Sequence, residues 1–249
     1  MRKIKNIIND IRATGKDNDL NKLGEIYRTD KIQQHHYGQH YMSHFNKYRD
    51  EKIKMLEIGV GGYEKSTSGG KSLRMWKAYF PKGEIFALDI YDKSPLQEDR
   101  IKIFHGSQVD TEFMNNTIET IGDLDIIIDD GSHINEHVIE TFGQLFPKLK
   151  DGGVYVIEDT QTSYWAEYGG DSQDLKNPKT MMNFFKNLTD SMNNKEFEIP
   201  DYQQNYYDKK IVSMHFYHNL IFIHKGNNDE ESNLLINNQK PNIKSDETL

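Results

Sequence analysis

The 249-residue sequence contains no cysteine, only six prolines and two tryptophans. Without a thiol, disulfides, thiolate catalysis and cysteine-held zinc are excluded. No apolar run approaches the ~18 residues that a membrane-spanning helix needs. The first residues, Met1-Arg-Lys-Ile-Lys-Asn-Ile-Ile, lack the apolar core of a signal peptide, and the expectation is a cytoplasmic protein with no membrane insertion. Positive charge is also in short supply. With 31 Lys and Arg against 39 Asp and Glu the net charge is −8, which argues against a nucleic-acid-binding surface. Apolar residues make up 35% of the chain and mean hydropathy is −0.82, so the core is economical. The length still suits one sizeable α/β domain with extensions.

Two short apolar runs each end in adjacent acids: Leu124-Asp-Ile-Ile-Ile-Asp-Asp-Gly-Ser-His133 and Gly153-Val-Tyr-Val-Ile-Glu-Asp159. Uninterrupted runs such as Ile126–Ile128 suit strands of a parallel sheet covered on both faces. Ligands of open α/β sheets gather beyond the carboxyl ends of the strands. Asp129, Asp130, Glu158 and Asp159 are therefore expected in one crevice with His133 close by. Four carboxylates there repel one another unless a cation sits among them, and this implies a divalent metal site beside a cofactor pocket.

The rest of the chain supports a mostly parallel, doubly wound sheet. Ile4, Ile7, Ile8 and Ile11 have the spacing of an amphipathic helix docked on the body or on a second subunit. The segment 28–48 carries His35-His36, Tyr37, Tyr41, His44, Phe45 and Tyr48. It reads as core packing or an aromatic lid before it reads as a metal site, because neighbouring helical residues face different ways. Strands are expected over 53–58, 84–90, 101–104, up to 129 and up to 158. Helices are expected from 72 to 80, over 110–121, 134–149 and 178–194. The runs 211–217 and 220–224, joined by His218-Asn219, can only form an antiparallel hairpin. Three units follow: a helical extension or lid (1–50), the main domain (51–225), and a polar, disordered or loosely attached tail (226–249).

The first strand runs into Glu57-Ile-Gly-Val-Gly-Gly62, a turn whose glycines allow close approach of a ligand. A plain tight turn also explains many such sequences. Here an acid, Glu57, precedes the first glycine, and a second, Asp89, ends the next strand, where it can accept bonds from ribose hydroxyls. The third glycine of a dinucleotide fingerprint is missing, with Tyr63 in its stead. A loop bracketed by acids suits a cationic ligand without pyrophosphate. S-Adenosylmethionine is therefore favoured over NAD.

Glu57-Ile-Gly-Val-Gly61, Asp89 and the terminal hairpin resemble the class I S-adenosylmethionine-dependent methyltransferases, whose sheet has seven strands. Gly70-Lys-Ser-Leu-Arg-Met-Trp76, Asp129-Asp-Gly-Ser-His133, Phe146-Pro-Lys-Leu-Lys-Asp-Gly-Gly153 and Ile157-Glu-Asp-Thr-Gln-Thr-Ser-Tyr-Trp165 resemble, more narrowly, the metal-dependent sugar O-methyltransferases of the macrocin and mycinamicin type. The similarity runs from about Tyr27 to Tyr168. It implies Mg2+ held by Asp130, Glu158 and Asp159, with His133 as general base and Asp130 sharing the catalytic site. It implies a cofactor pocket at Glu57, Gly59, Val60, Gly61, Ser72, Asp89, Ile90, Gly106, Ser107, Gln108 and Asp129. Tyr164, Trp165 and Tyr168 are candidates for an acceptor wall. The acceptor is expected to be a small sugar or nucleotide-linked molecule, and the protein a homo-oligomer. Abundant Lys, Asn, Ile and Asp suggest an AT-rich coding sequence, which turns the acceptor expectation toward surface or capsular polysaccharide precursors or their phosphoramidate decorations.

Simpler structural readings stand beside these. Glu158-Asp159 can cap the segment that follows, His133 can be a helix-start residue, His137 a packed histidine, and Gly106-Ser107 only a turn. Two readings from other classes are a non-catalytic S-adenosylmethionine-binding protein on this fold and a relative of the cephalosporin hydroxylases.

Overall fold

A computed structural model describes residues 2–16 and 18–241, without the side chains of residues 2–4. Its centre is a seven-stranded sheet in the order β3-β2-β1-β4-β5-β7-β6. The strands are β1 (Lys54–Ile58), β2 (Glu84–Asp89), β3 (Ile101–His105), β4 (Leu124–Asp129), β5 (Leu149–Glu158), β6 (Ile211–Tyr217) and β7 (Leu220–Lys225). The first five pair in parallel, and β7 and β6 add an antiparallel edge. The Ile126–Ile128 run is fully buried on both sides, as a covered parallel strand requires.

Helices cover both faces. On one lie α2 (Leu20–Tyr27), α3 (Asp30–Gln33), α4 (Gly38–Phe45) and α5 (Lys71–Tyr79), which bury Tyr41, Phe45 and Trp76 against Met55, Ile126, Ile128, Val154 and Val156. On the other lie α6 (Thr111–Ile121), α7 (Asn135–Leu145) and α8 (Met181–Asn187), over Leu56, Ile58, Ile127, Tyr155 and Ile157. The two core lists follow strand alternation: odd and even positions of a strand serve opposite faces. Before them runs α1 (Arg2–Ala13). Its Ile7, Ile8 and Ile11 are exposed, so the expected stripe does not dock on this body. No described helix is long and apolar enough to cross a membrane.

Several boundaries differ from expectation. The helix expected over 134–149 ends at Leu145 and continues as a 3-10 turn over Phe146–Lys148. Pro147 lacks the N–H that would extend the α pattern. β5 then starts at Leu149, ahead of Gly152-Gly153. The helix expected over 178–194 breaks after Asn187 into a 3-10 segment over Asp190–Glu196. Residues 226–241, expected as a loose tail, are tied to the body through side-chain amides. Asn228 donates to the Asp208 carbonyl (2.8 Å), and Asn238 to Asn194 and Phe197 (2.9 and 2.8 Å). Amide side chains anchor a predominantly polar segment whose apolar residues Leu234 and Ile236 stay exposed. The rest of that expected tail, 242–249, lies outside the described residues.

One glycine fixes the geometry of the strand tips. Gly59 has φ +92°, and a Cβ there would meet the Asp130 carbonyl oxygen at 2.1 Å. The close approach it permits is therefore between β1 and β4. Gly59→Ala should cost at least about 3 kcal/mol, combining a disfavoured φ with a backbone clash. A urea midpoint within error of the wild type would show that the tips do not meet so closely.

Candidate active site

Beyond the carboxyl ends of β1, β2 and β4 opens a cleft of about 540 Å3. Gly59, Gly61, Asp89, Ile90, Gly106, Ser107 and Gln108 line it, and so do Asp130, His133 and Asp159. Four other residues expected at a cofactor are not in its wall. Val60 and Glu57 are buried, Val60 giving its backbone N–H to Asp89 Oδ2 at 2.9 Å. Ser72 is buried beside Glu57. Asp129 lies beneath the cleft, where it accepts from Gln108 Nε2 and Gly131 N at 3.4 Å each. Asp89 also accepts from Tyr91 N at 2.8 Å. A carboxylate has about four lone-pair sites, so two backbone bonds fix its orientation and leave capacity for hydroxyls.

The acids separate by strand alternation. Asp129 turns to the α7 face, whereas Glu57, Asp130 and Glu158 reach the α3–α4 face. There they surround one side chain from the N-terminal extension, Lys31. Its ammonium donates to Asp130 Oδ2 (2.6 Å) and Glu158 Oε1 (2.7 Å) and lies 3.1 Å from Glu57 Oε1. Lys31 is 1% exposed and Glu57 and Glu158 are 0% and 2%. Burial by itself would drive off the Lys31 proton. The pull of Asp130, Glu158 and Glu57 outweighs it and holds the pKa well above the ordinary lysine value. Burial raises Glu57 and Glu158 above the usual carboxylate range, Lys31 only partly offsetting this, because three acids share a single ammonium. Tyr41 closes the cluster by donating its hydroxyl to Glu158 Oε1.

Asp130, His133 and Asp159 meet on the open side, with one ligand-type atom of each within 4.8 Å of the others. His133 Nε2 is 3.8 Å from Asp130 Oδ1 and from Asp159 Oδ2. Glu158 is not in this group; its carboxylate faces Lys31 and Tyr41. His133 and Asp159 both adopt left-handed backbone, φ +56° and +53°, a conformation that costs a non-glycine residue energy and clusters at functional sites. Thr162 secures the corner, its hydroxyl donating to the His133 carbonyl at 2.9 Å. The Tyr37 hydroxyl lies 2.9 Å from Asp159 Oδ1, and His35 Nδ1 is 3.3 Å from the same oxygen. His36 is exposed and joins no cluster among the described residues. His137 is hydrogen-bonded to the Ser132 hydroxyl at 3.0 Å. Tyr164, the last residue of the 3-10 segment that follows Asp159, and Trp165 just after it are exposed beyond β5.

Sequence reading took Tyr37 and Tyr41 only as core packing or part of an aromatic lid and missed Lys31, which belongs to no motif; the available signal for it was a surplus of acids at the strand tips that needed a cation.

No family model matches the chain. Over 214 residues it is 45% identical to the mycinamicin VI 2''-O-methyltransferase of Micromonospora griseorubida, covering 85% of this chain and 54% of that protein. Over 214 residues it is 46% identical to the demethylmacrocin O-methyltransferase of Streptomyces fradiae, with the same coverage of 85% and 54%. Among solved structures it superposes on the MycE methyltransferase from the mycinamycin biosynthetic pathway, in complex with Mg and SAH. The TM-score is 0.82 at 45% identity, across 86% of this chain and 56% of that one. The chain thus spans about half the length of the curated relatives it matches.

Two substitutions test the electrostatics. Lys31→Met should destabilise the fold by about 3–5 kcal/mol at pH 7, the range for stranding a buried charge partner. The loss should shrink toward pH 5 as the acids take up protons. A chemical-denaturation difference below about 1 kcal/mol at pH 7 would dismiss Lys31 as the compensating cation. Burial pushes Asp129 up to about 7, so the folded state binds its proton more readily than the unfolded state. Stability is then lost as pH rises from about 4 to about 7. Asp129→Asn should match the wild type near pH 4 and exceed it above pH 7 by up to about 4 kcal/mol; a pH-independent difference would rule out the buried proton.

Proposed function

The chain is a homologue of the macrocin and mycinamicin sugar O-methyltransferases, and from that premise we propose that it transfers a methyl group from S-adenosylmethionine to a sugar hydroxyl. The observation that carries this reading is the Asp130–His133–Asp159 group at the rim of a glycine-lined cleft. The glycine turn, Asp89 and the Gly106–Gln108 segment form the cofactor half of the cleft. Asp89 is oriented to receive ribose hydroxyls, while Gly61, with open space where a Cβ would stand, lets a ligand approach the backbone. Glu57, Val60, Ser72 and Asp129 support that wall from behind. They shape the turn, and Asp129 positions Gln108.

The donor set also suits magnesium. Asp130 and Asp159 offer hard carboxylate oxygens at the cleft, the ligand type this ion prefers. These two would hold it directly. Glu158, the third expected ligand, contributes from behind through its tie to Lys31. When bound, the donor supplies an activated methyl group and the ion polarises the acceptor hydroxyl.

His133 receives the hydroxyl proton at Nε2. The new C–O bond forms as the S–C bond breaks, the latter's electron pair remaining on sulfur. Asp130 and Asp159, both within 3.8 Å, steady the imidazolium that results. The left-handed corner and the Thr162 bond hold the ring in place, so alignment supplies much of the rate.

The extension 1–50 acts as a lid over domain 51–225, its Lys31, Tyr37 and Tyr41 closing the carboxylate side. Tyr164 and Trp165 offer aromatic faces to a sugar ring. The relatives named above act, by their names, on mycinamicin VI and on demethylmacrocin. Nothing in them favours a surface-polysaccharide or phosphoramidate acceptor, and a sugar hydroxyl is the acceptor class that we retain.

Calorimetry should show S-adenosylhomocysteine binding with similar affinity to wild type and to His133→Ala, in buffer with or without EDTA. Methyl transfer to a demethylated macrolide glycoside should fall by ~10²–10⁴ in His133→Ala and stop in EDTA. Unchanged turnover in either case, or NADH binding in preference, would overturn the reading.

A further inference from the structure

On the far side of the extension, α4 and the terminal hairpin bring together three imidazoles that methyl transfer does not use. His40 and His44, four residues apart, share one face of α4. In the hairpin, Ser213 pairs with His224 and His215 with Phe222. Alternation then puts His215, Tyr217, Phe222 and His224 on a single sheet face, the one α4 covers. The buried His44 ring stacks on Phe222 at 4.1 Å. Its Nδ1 is 2.9 Å from His224 Nε2. The His215 ring lies 4.6 Å from His44 and 5.5 Å from His224, and one nitrogen from each of the three falls within a 4.8 Å group.

We propose that His44, His215 and His224 form a second metal site, for a borderline transition ion such as Zn2+, Ni2+ or Cu2+. Imidazole nitrogen suits these ions, whereas Mg2+ prefers oxygen, so this site and the carboxylate site select different metals. Burial lowers His44 to about 4 and His224 to about 3, and both rings are therefore neutral near pH 7, the state a metal ligand must have. Nitrogens bound at about 2.0–2.1 Å lie about 3.3 Å apart on a tetrahedron and about 2.9 Å apart at a right angle. The observed 2.9 Å thus requires an adjustment of a few tenths of an ångström at most.

The outer partner that ligating histidines have is also present. His44 Nε2 is 3.0 Å from the Tyr217 hydroxyl, which can accept that N–H and leave Nδ1 as the coordinating atom. His40 stacks on the Tyr217 ring at 3.9 Å and keeps the hydroxyl in position. β6 is the sheet's edge strand, and His215 on it is exposed, which gives an ion an entry path. Because α4 also carries Tyr41, an ion here would pin the segment that closes the carboxylate cluster onto the hairpin.

The test is a titration of the EDTA-stripped, dialysed protein with ZnCl2 or NiCl2, in a large excess of Mg2+. Wild type should bind about one equivalent with micromolar or tighter affinity and gain thermal stability. His215→Ala and His224→Gln should each weaken binding at least 100-fold while S-adenosylhomocysteine affinity stays unchanged. The double variant Asp130→Asn/Asp159→Asn should retain the zinc site. His215 is on the surface, so its variant is expected to fold whatever happens at His224. Absence of zinc binding, or binding lost in the Asp130/Asp159 variant and kept in both histidine variants, would overturn the proposal.

Discussion

The site depends on one buried ammonium. Parallel strands that end side by side deliver their last side chains to the same edge, and here those side chains are acids. Uncompensated carboxylates in a water-poor environment would each demand solvation or a proton. Lys31 supplies a positive charge in contact with Glu57, Asp130 and Glu158 at once. Its own burial is tolerable only because the three acids surround it. The dependence is mutual, and it joins the N-terminal extension to the tips of β1, β4 and β5 in one electrostatic unit.

This arrangement divides the acids into two functional layers. Glu57 and Glu158 are buried and engaged by Lys31, with Tyr41 also holding Glu158. Asp130 and Asp159 remain partly open beside His133. Asp130 belongs to both layers, one oxygen on the ammonium and the other toward the histidine. A change of charge at the cleft is therefore felt at Lys31 through a single carboxylate. The left-handed backbone at His133 and Asp159 is what turns these two residues out of the strand direction toward each other.

Much of the fold was legible in the sequence. Uninterrupted Ile126–Ile128, the glycine turn after β1, and the close spacing of the last two apolar runs gave the parallel sheet and its antiparallel edge. Convergence of Asp130, His133 and Asp159 followed from the rule that parallel strands present their carboxyl ends together. Other features were carried by weaker signals. Adjacent acids at a strand end cannot share a face, and alternation alone would have parted Asp129 from Asp130. Lys31 lies in α3, a four-residue helix too short to show a periodic pattern, so only the tertiary fold reveals its partners. Pro147 marked the end of α7 more firmly than the glycines that follow. The polar segment after β7 shows that low hydropathy does not prevent order when amide side chains find backbone carbonyls.

The packing of Gly59 against the Asp130 carbonyl has a bearing on how such a protein diversifies. The glycine turn after β1 and the acidic tip of β4 are locked together as one rigid piece. Variation there disturbs both at once. The surface segment around Tyr164 and Trp165 has no such tie to the glycine turn among the described contacts. Under the proposed function, new acceptors would be accommodated by remodelling the periphery, while the glycine turn and the acidic strand tips stay as they are.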